Sequence, residues 1–257
     1  MTETRATALE ALARRLVDEG TSRGIPLRLI GSIAVRELCA GREDILERLD
    51  REQPVDIDLV GYLKQQPQIA LMFKQLGYRI DPTIAQSQEW GIQRLIYYAP
   101  DSEIKVDIFL DVLRMSHTID FKDRLPSTSI TVIPVDLLLA KLQVFQITEK
   151  DLKDVVALLL LYALGDSAGD AIDVGYLLAR LRGDWGLSYT VLKNIALVAD
   201  WMDAQRGLNA DEAAVVRARL LELRRRIETE PKSLRWRMRA AIGSRLRWYE
   251  EVGDVDR

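Results

Sequence analysis

The sequence predicts an α+β protein, with a mixed sheet and helices first and an all-helical C-terminal domain after it. Two short segments carry the sheet prediction: 55–60 and 104–110 are rich in Val and Ile and alternate with acidic residues, as half-buried strands do. The helical prediction rests on the stretch after Pro134, where apolar residues recur at helical spacing almost to the end. A chain of 257 residues, 48% hydrophobic and 29% charged, is long enough for one large domain or two modest ones.

Taken in order, residues 5–22 read as a helix with Leu9, Leu12 and Leu16 on one face. A strand near 26–31 runs into Gly31-Ser32, and a helical pattern follows with Ile33, Val35 and Leu38. A charged helix over 42–50 precedes a strand at 54–60. The next helix, 65–76, stops at Gly77, and strands are expected near 78–80, 92–98, 103–110 and 128–133. Pro134 suits the first turn of a helix, having no N–H to leave unsatisfied. Helices are then expected at 135–146, 148–164, 170–182, 187–205, 210–229 and 232–250, broken at Gly165, Gly169, Gly183, Gly186, Gly207 and Pro231. The expected domains are therefore 1–133 and 134–257.

Three aspartates stand out. Side chains in a strand alternate with period 2, so Asp56 and Asp58 point one way while Val55, Ile57 and Leu59 point the other. Two adjacent carboxylates repel each other and need a positive partner. A divalent cation such as Mg²⁺ or Mn²⁺ suits carboxylate oxygens. If the later strand lies beside the first, Asp107 completes a three-carboxylate site. A Gly-Ser turn at a helix start, here Gly31-Ser32, brings backbone N–H groups close to an anion.

The order strand, Gly-Ser, helix, Asp-x-Asp strand, single-Asp strand resembles the nucleotidyltransferase superfamily, the fold of DNA polymerase β and the antibiotic nucleotidyltransferases. The resemblance covers roughly 26–111 and implies a nucleotidyltransferase-fold sheet. It implies that Gly31 and Ser32 hold the triphosphate of an NTP substrate. It implies that Asp56 and Asp58 bind the metal escorting the nucleotide, and that Asp107 completes a second metal site. Asp-x-Asp also occurs in glycosyltransferases and haloacid-dehalogenase phosphatases. The first would place a longer α/β region before the motif, and the second continues into Thr where this chain has Leu59-Val60-Gly61.

Lys141 interrupts the apolar run 137–142, so its ammonium must snorkel to water or meet an anion. Asp151 and Asp154 share a helical face in Thr148-Glu-Lys-Asp-Leu-Lys-Asp154, where Thr148 can also cap with Asp151 as its capping-box acid. The pairing looks like the AbiEii and MenT-type nucleotidyltransferases, which are bacterial toxins. Carried over, Lys141 contacts the triphosphate, Asp151 is a second catalytic acid and Asp154 positions it. RNA (such as tRNA) or protein is then the acceptor, and an antitoxin is a partner. Two features depart from the pattern. Gln53-Pro54 stands where an Arg, Ser or Thr usually precedes Asp-x-Asp, and 24 positions separate Ser32 from Asp56. The alternatives are an antibiotic nucleotidyltransferase, or a non-catalytic version of the fold that binds a nucleotide or a partner.

Residues 224–247 carry nine Arg or Lys against two Glu, with Trp236, Trp248 and Tyr249 nearby. That suits RNA phosphates and bases, although Leu234, Met238, Ile242 and Leu246 also make an ordinary amphipathic stripe. The net charge of −3 gives no global nucleic-acid signature. Cys39 alone excludes an internal disulfide and fits a reducing cytosol, and its place on a helix suggests a small core residue. The lone His117 argues against zinc and Ser-His-Asp chemistry. No signal peptide is visible, and the longest apolar run, 155–165, is too short to span a bilayer, so a cytoplasmic protein is expected.

Overall fold

The computed structural model describes residues 2–83, 93–100, 102–166, 171–205 and 207–252. Its contacts divide the chain into two compact units. One comprises Met1–Leu38, Glu52–Leu113 and Ile119–Ile133, and the other Cys39–Arg51, Arg114–Thr118 and Pro134–Arg257.

In the first unit, helix α1 (Thr2–Ser22) buries Leu9, Ala13, Leu16 and Val17, an i, i+4, i+7, i+8 face. Strand β1 (Arg28–Ile30) passes directly into α2 (Gly31–Leu38). Strand β2 (Ile57–Gly61) leads through a short 3₁₀ turn to α4 (Gln66–Gln75), which has Pro67 in its first turn. Gly77, at φ +79°, takes the left-handed conformation that ends the helix. Strands β3 (Arg79–Ile80), β4 (Arg94–Tyr98) and β5 (Lys105–Leu110) complete a sheet of order β1-β2-β5-β4-β3. It is mixed: β2 and β5 are parallel, and the other pairs are antiparallel.

Pleating sorts the residues of β5. Val106, Ile108 and Leu110 are fully buried on one face, with Leu59 and Ile57 of β2 beside them in register. Phe73 of α4 adds ring contacts with Tyr97, stacked at 4.5 Å, and with Tyr78, edge-on at 5.0 Å. Lys105, Asp107 and Phe109 turn to the other face. The strand expected at 128–133 is present only as one parallel bridge between Leu29 and Thr131. It is held by Leu29 N donating to Ile130 O at 2.8 Å and Val132 N to Leu29 O at 3.0 Å. A short hairpin, β6 (Val112–Arg114) and β7 (Thr118–Asp120), follows β5 where the sequence signalled neither strand.

The second unit contains α3 (Asp44–Arg48), α5 (Pro134–Leu142), α6 (Glu149–Leu161), α7 (Val174–Leu181), α8 (Trp185–Ala204), α9 (Ala210–Thr229) and α10 (Leu234–Ile242). Five of these seven helices start at a side-chain cap. The side chains of Thr148, Asp173, Asp184, Asn209 and Ser233 accept from the backbone N–H three residues on, and Asn209 with Glu212 forms a full capping box.

Three expectations need correction here. The unit is not wholly helical, because β8 (Ala163–Gly165) and β9 (Ala171–Asp173) pair in parallel. Tyr162 turns extended after α6, and a Cβ on Gly165 would lie 2.9 Å from that of Ala171, so this strand pair closes over a glycine. Gly186 is not a break but sits inside α8, where Trp248 O approaches too closely for any side chain. The last helix ends at Ile242, with Gly243 at φ +60° beyond it. The break expected at Gly169 lies outside the described residues. Among the described residues no helix is long and apolar enough to cross a membrane.

Leu59 has no exposure and lies mid-strand between β1 and β5. Leu59→Ala is expected to cost about 2–5 kcal/mol of unfolding free energy, measured by urea denaturation. A cost under about 1 kcal/mol would mean this face is not the packed one.

Candidate metal centre

The parallel register of β2 and β5 sets Asp58 directly opposite Asp107. Asp56 stands two residues before Asp58, so it returns to the same face. One oxygen from each of Asp56, Asp58 and Asp107 lies within 4.8 Å of the others. Asp107 is buried, while Asp56 and Asp58 are half-buried. Two unit charges 4 Å apart interact by on the order of 4 kcal/mol at an effective dielectric of 20, so three carboxylates here require positive charge among them.

The chain supplies part of that charge. Arg94 on β4 donates through Nε to Asp107 Oδ1 at 3.1 Å and through Nη2 to Oδ2 at 2.9 Å, a two-point clamp. Its guanidinium also lies 5.3 Å over the ring of Phe109, its register partner. Lys105 Nζ sits 3.2 Å from Asp107 Oδ2 and 3.9 Å from Asp56 Oδ2. Neither residue was singled out in the sequence. Lys105 was findable, since it lies two residues before Asp107 and so shares its face. Arg94 depends on the β4–β5 register, which no local motif encodes.

Gly31 belongs to this place as well. In β1, Ile30 opposes Asp58, and the next residue must turn into α2. Gly31 does so at φ +73°, and a Cβ there would fall 2.2 Å from Asp58 Oδ2. Only glycine lets the carboxylate come this close to the helix start. Ser32 is half-buried in the first turn of α2.

The donor set suits a hard cation. Three oxygens on one octahedral Mg²⁺ at about 2.1 Å lie mostly about 3 Å apart, so the carboxylates, now within 4.8 Å of one another, would draw together around an ion. Three carboxylates offer oxygen donors only, the kind of donor set that Mg²⁺ and Mn²⁺ take.

Lys141, Asp151 and Asp154 come together in the second unit. Lys141 Nζ lies 2.9 Å from Asp151 Oδ1 and 2.8 Å from Asp154 Oδ2. The lysine in the apolar helix thus meets anions of its own chain. Arg51 clamps Asp154 through Nε at 2.7 Å and Nη2 at 3.1 Å, and both side chains are buried. Burial pushes the Lys141 pKa down, but Asp151 and Asp154 outweigh it and the net shift is upward. Burial pushes the Asp151 carboxyl up, and Lys141 and Thr148 more than reverse that, leaving it below the ordinary value.

His117 is a satisfied residue. Its Nε2 lies 2.8 Å from Thr190 Oγ1, and burial lowers its pKa against the opposing charges of Asp184 and Glu250. The C-terminal aromatics are largely spent on packing. Tyr249 stacks on Phe145 at 3.8 Å, and Trp248 sets its edge among Phe145, Trp185 and Tyr189 while donating to Thr190. The stripe Leu234, Met238, Ile242 and Leu246 is 41–67% exposed, the reverse of the buried face an amphipathic reading implies. Arg239 instead covers the Trp185 ring. Arg235, Arg237 and Arg245 are exposed.

No protein-family model, curated protein or solved structure matches the chain.

Gly31→Ala is expected to lower stability by about 1–3 kcal/mol through the left-handed φ and to displace Asp58. Urea denaturation and Mn²⁺ titration read the two effects, and unchanged values in both would contradict this placement. Asp151 titrates lower folded than unfolded, so its contribution is fully present above the ordinary carboxylate range and is lost as pH falls through the folded value. Melting temperature followed from pH 7 to 3 should therefore fall more steeply in the native chain than in Asp151→Asn.

Proposed function

We propose that the chain is a metal-dependent nucleotidyltransferase that transfers a nucleoside monophosphate from an NTP to an acceptor hydroxyl. The observation that carries this reading is the meeting of Asp56, Asp58 and Asp107 within 4.8 Å beside Gly31. The mixed sheet order β1-β2-β5-β4-β3, with both motif strands adjacent and parallel, supports a nucleotidyltransferase fold.

In this reading the acceptor oxygen bonds to the α-phosphorus, the α–β bridging P–O bond breaks, and pyrophosphate leaves with that electron pair. The hydroxyl proton passes to Asp107 or to solvent. Asp56 and Asp58 would hold the Mg²⁺ or Mn²⁺ that escorts the nucleotide, and Asp107 would complete the second metal site. Such ions, when bound, neutralise the charge on the transferring group and on the leaving oxygen. Gly31 and Ser32 present backbone N–H groups of the α2 start to the phosphates. The resemblance has Lys141 contact the triphosphate and makes Asp151 a second catalytic acid. Both are engaged with each other here, so the proposal rests first on the three aspartates. RNA or protein is the proposed acceptor class, with exposed Arg235, Arg237 and Arg245 as the support for a polyanion.

One observation favours a second reading, a non-catalytic nucleotide or partner binder. Arg94 and Lys105 already offset much of the triad's charge. Incubation with each α-labelled NTP, Mg²⁺ and total RNA, protein extract or an aminoglycoside panel decides between them. The expected outcome is label in the RNA or protein fraction, lost in Asp58→Ala while its melting curve stays cooperative. Full activity in Asp58→Ala would sink the assignment. Mg²⁺-dependent NTP binding without transfer to any acceptor would favour the binder, and label on the aminoglycosides the antibiotic-modifying alternative.

A further inference from the structure

We propose that Lys105 is a resident counter-ion that occupies the position between Asp56 and Asp107 until a divalent cation displaces it. The inference rests on the metal-dependent reading above and adds a role for a residue that reading does not use. Lys105 and Asp107 lie on one face of β5, two residues apart, so the lysine stem runs alongside the carboxylate it neutralises. The ammonium stands 3.2 Å from one Asp107 oxygen and 3.9 Å from the Asp56 oxygen. It therefore spans two of the three carboxylates that would ligate the ion.

Arg94 and Lys105 differ in how they hold Asp107. Arg94 grips both oxygens through its planar fork and rests on Phe109, so it is fixed from two sides. Lys105 makes single contacts through a flexible four-carbon stem, and its side chain is 22% exposed. An ion bringing two positive charges to the same oxygens repels both groups, and the ammonium is the one free to swing toward water. Arg94 then stays as the positioning residue that orients Asp107. The arrangement offsets part of the acidic face's charge without metal, and metal must compete with an internal cation to bind.

Two measurements on the full chain test this. Mn²⁺ affinity is read from the loss of the free-ion magnetic resonance signal, in the native chain, in Lys105→Met and in Lys105→Gln. Limiting acetylation of the native chain, with and without Mn²⁺, is read by mass spectrometry at Lys105 and normalised to exposed Lys74. The expected result is Mn²⁺ binding about tenfold tighter in both variants, and Lys105 acetylation that rises severalfold when Mn²⁺ is added. Acetylation that does not change while Mn²⁺ binds would overturn the displacement. Variant affinities within twofold of the native chain would do the same, and either result leaves the metal-dependent reading standing. No Mn²⁺ binding at millimolar concentration by the native chain or either variant would overturn that reading and this inference with it.

Discussion

Three carboxylates placed within 4.8 Å of one another constrain everything around them. Left alone they would repel strongly on a half-buried sheet face, and the fold would gain by letting any of them turn away. The register prevents that. Asp58 and Asp107 are paired residues of parallel strands whose opposite face is filled by Ile57, Leu59, Val106 and Ile108. A slip of one residue would bury the acids and expose the core, so packing on one face fixes charge on the other. The same constraint selects glycine at 31, where the chain leaves β1 against the Asp58 carboxylate. It also accounts for Arg94 and Lys105, which bring positive charge where the strands force negative charge together.

The second unit solves a related problem by different means. Lys141 and Arg51 share Asp154, and Lys141 also holds Asp151, so these buried charges are matched within one cluster. Lys153 reaches from the same helix to Asp50 O at 2.8 Å. Removing one member of such a cluster strands its partners in a low-dielectric interior, which makes it costly whatever else the residues do. Thr148 ties the cluster to the start of α6, because its hydroxyl caps the helix and also donates to Asp151.

The Asp56–Asp58 half of the acidic site was legible from a short-range rule, while the place of Asp107 beside it hung on the pairing of β2 with β5. Period-2 alternation puts Asp56 and Asp58 together, and two Val/Ile-rich segments announce the strands. Helix starts at Pro134 and Thr148 were legible for a similar reason, since a first-turn proline and a cap act within one turn. Features that depend on partners far along the chain were not legible. Arg94 reaches Asp107 only through the β4–β5 register, and the segment near 131 pairs with β1 by a single bridge. The apolar run through Leu164 fits a helix or a strand equally well, and the backbone turn at Tyr162 decides it. The stripe Leu234, Met238 and Ile242 has helical spacing, but spacing does not say which side of the helix meets the protein. Here Trp236 and Arg239 lie on the inner side.

The most direct test is a crystal of the native chain grown with Mn²⁺ and a non-hydrolysable NTP analogue, with anomalous scattering used to locate the metal. The account predicts a manganese peak ligated by Asp56, Asp58 and Asp107, with the triphosphate at the start of α2 and the Lys105 ammonium moved off the carboxylates. An anomalous map with no peak at the triad, and Lys105 still between Asp56 and Asp107, would contradict it.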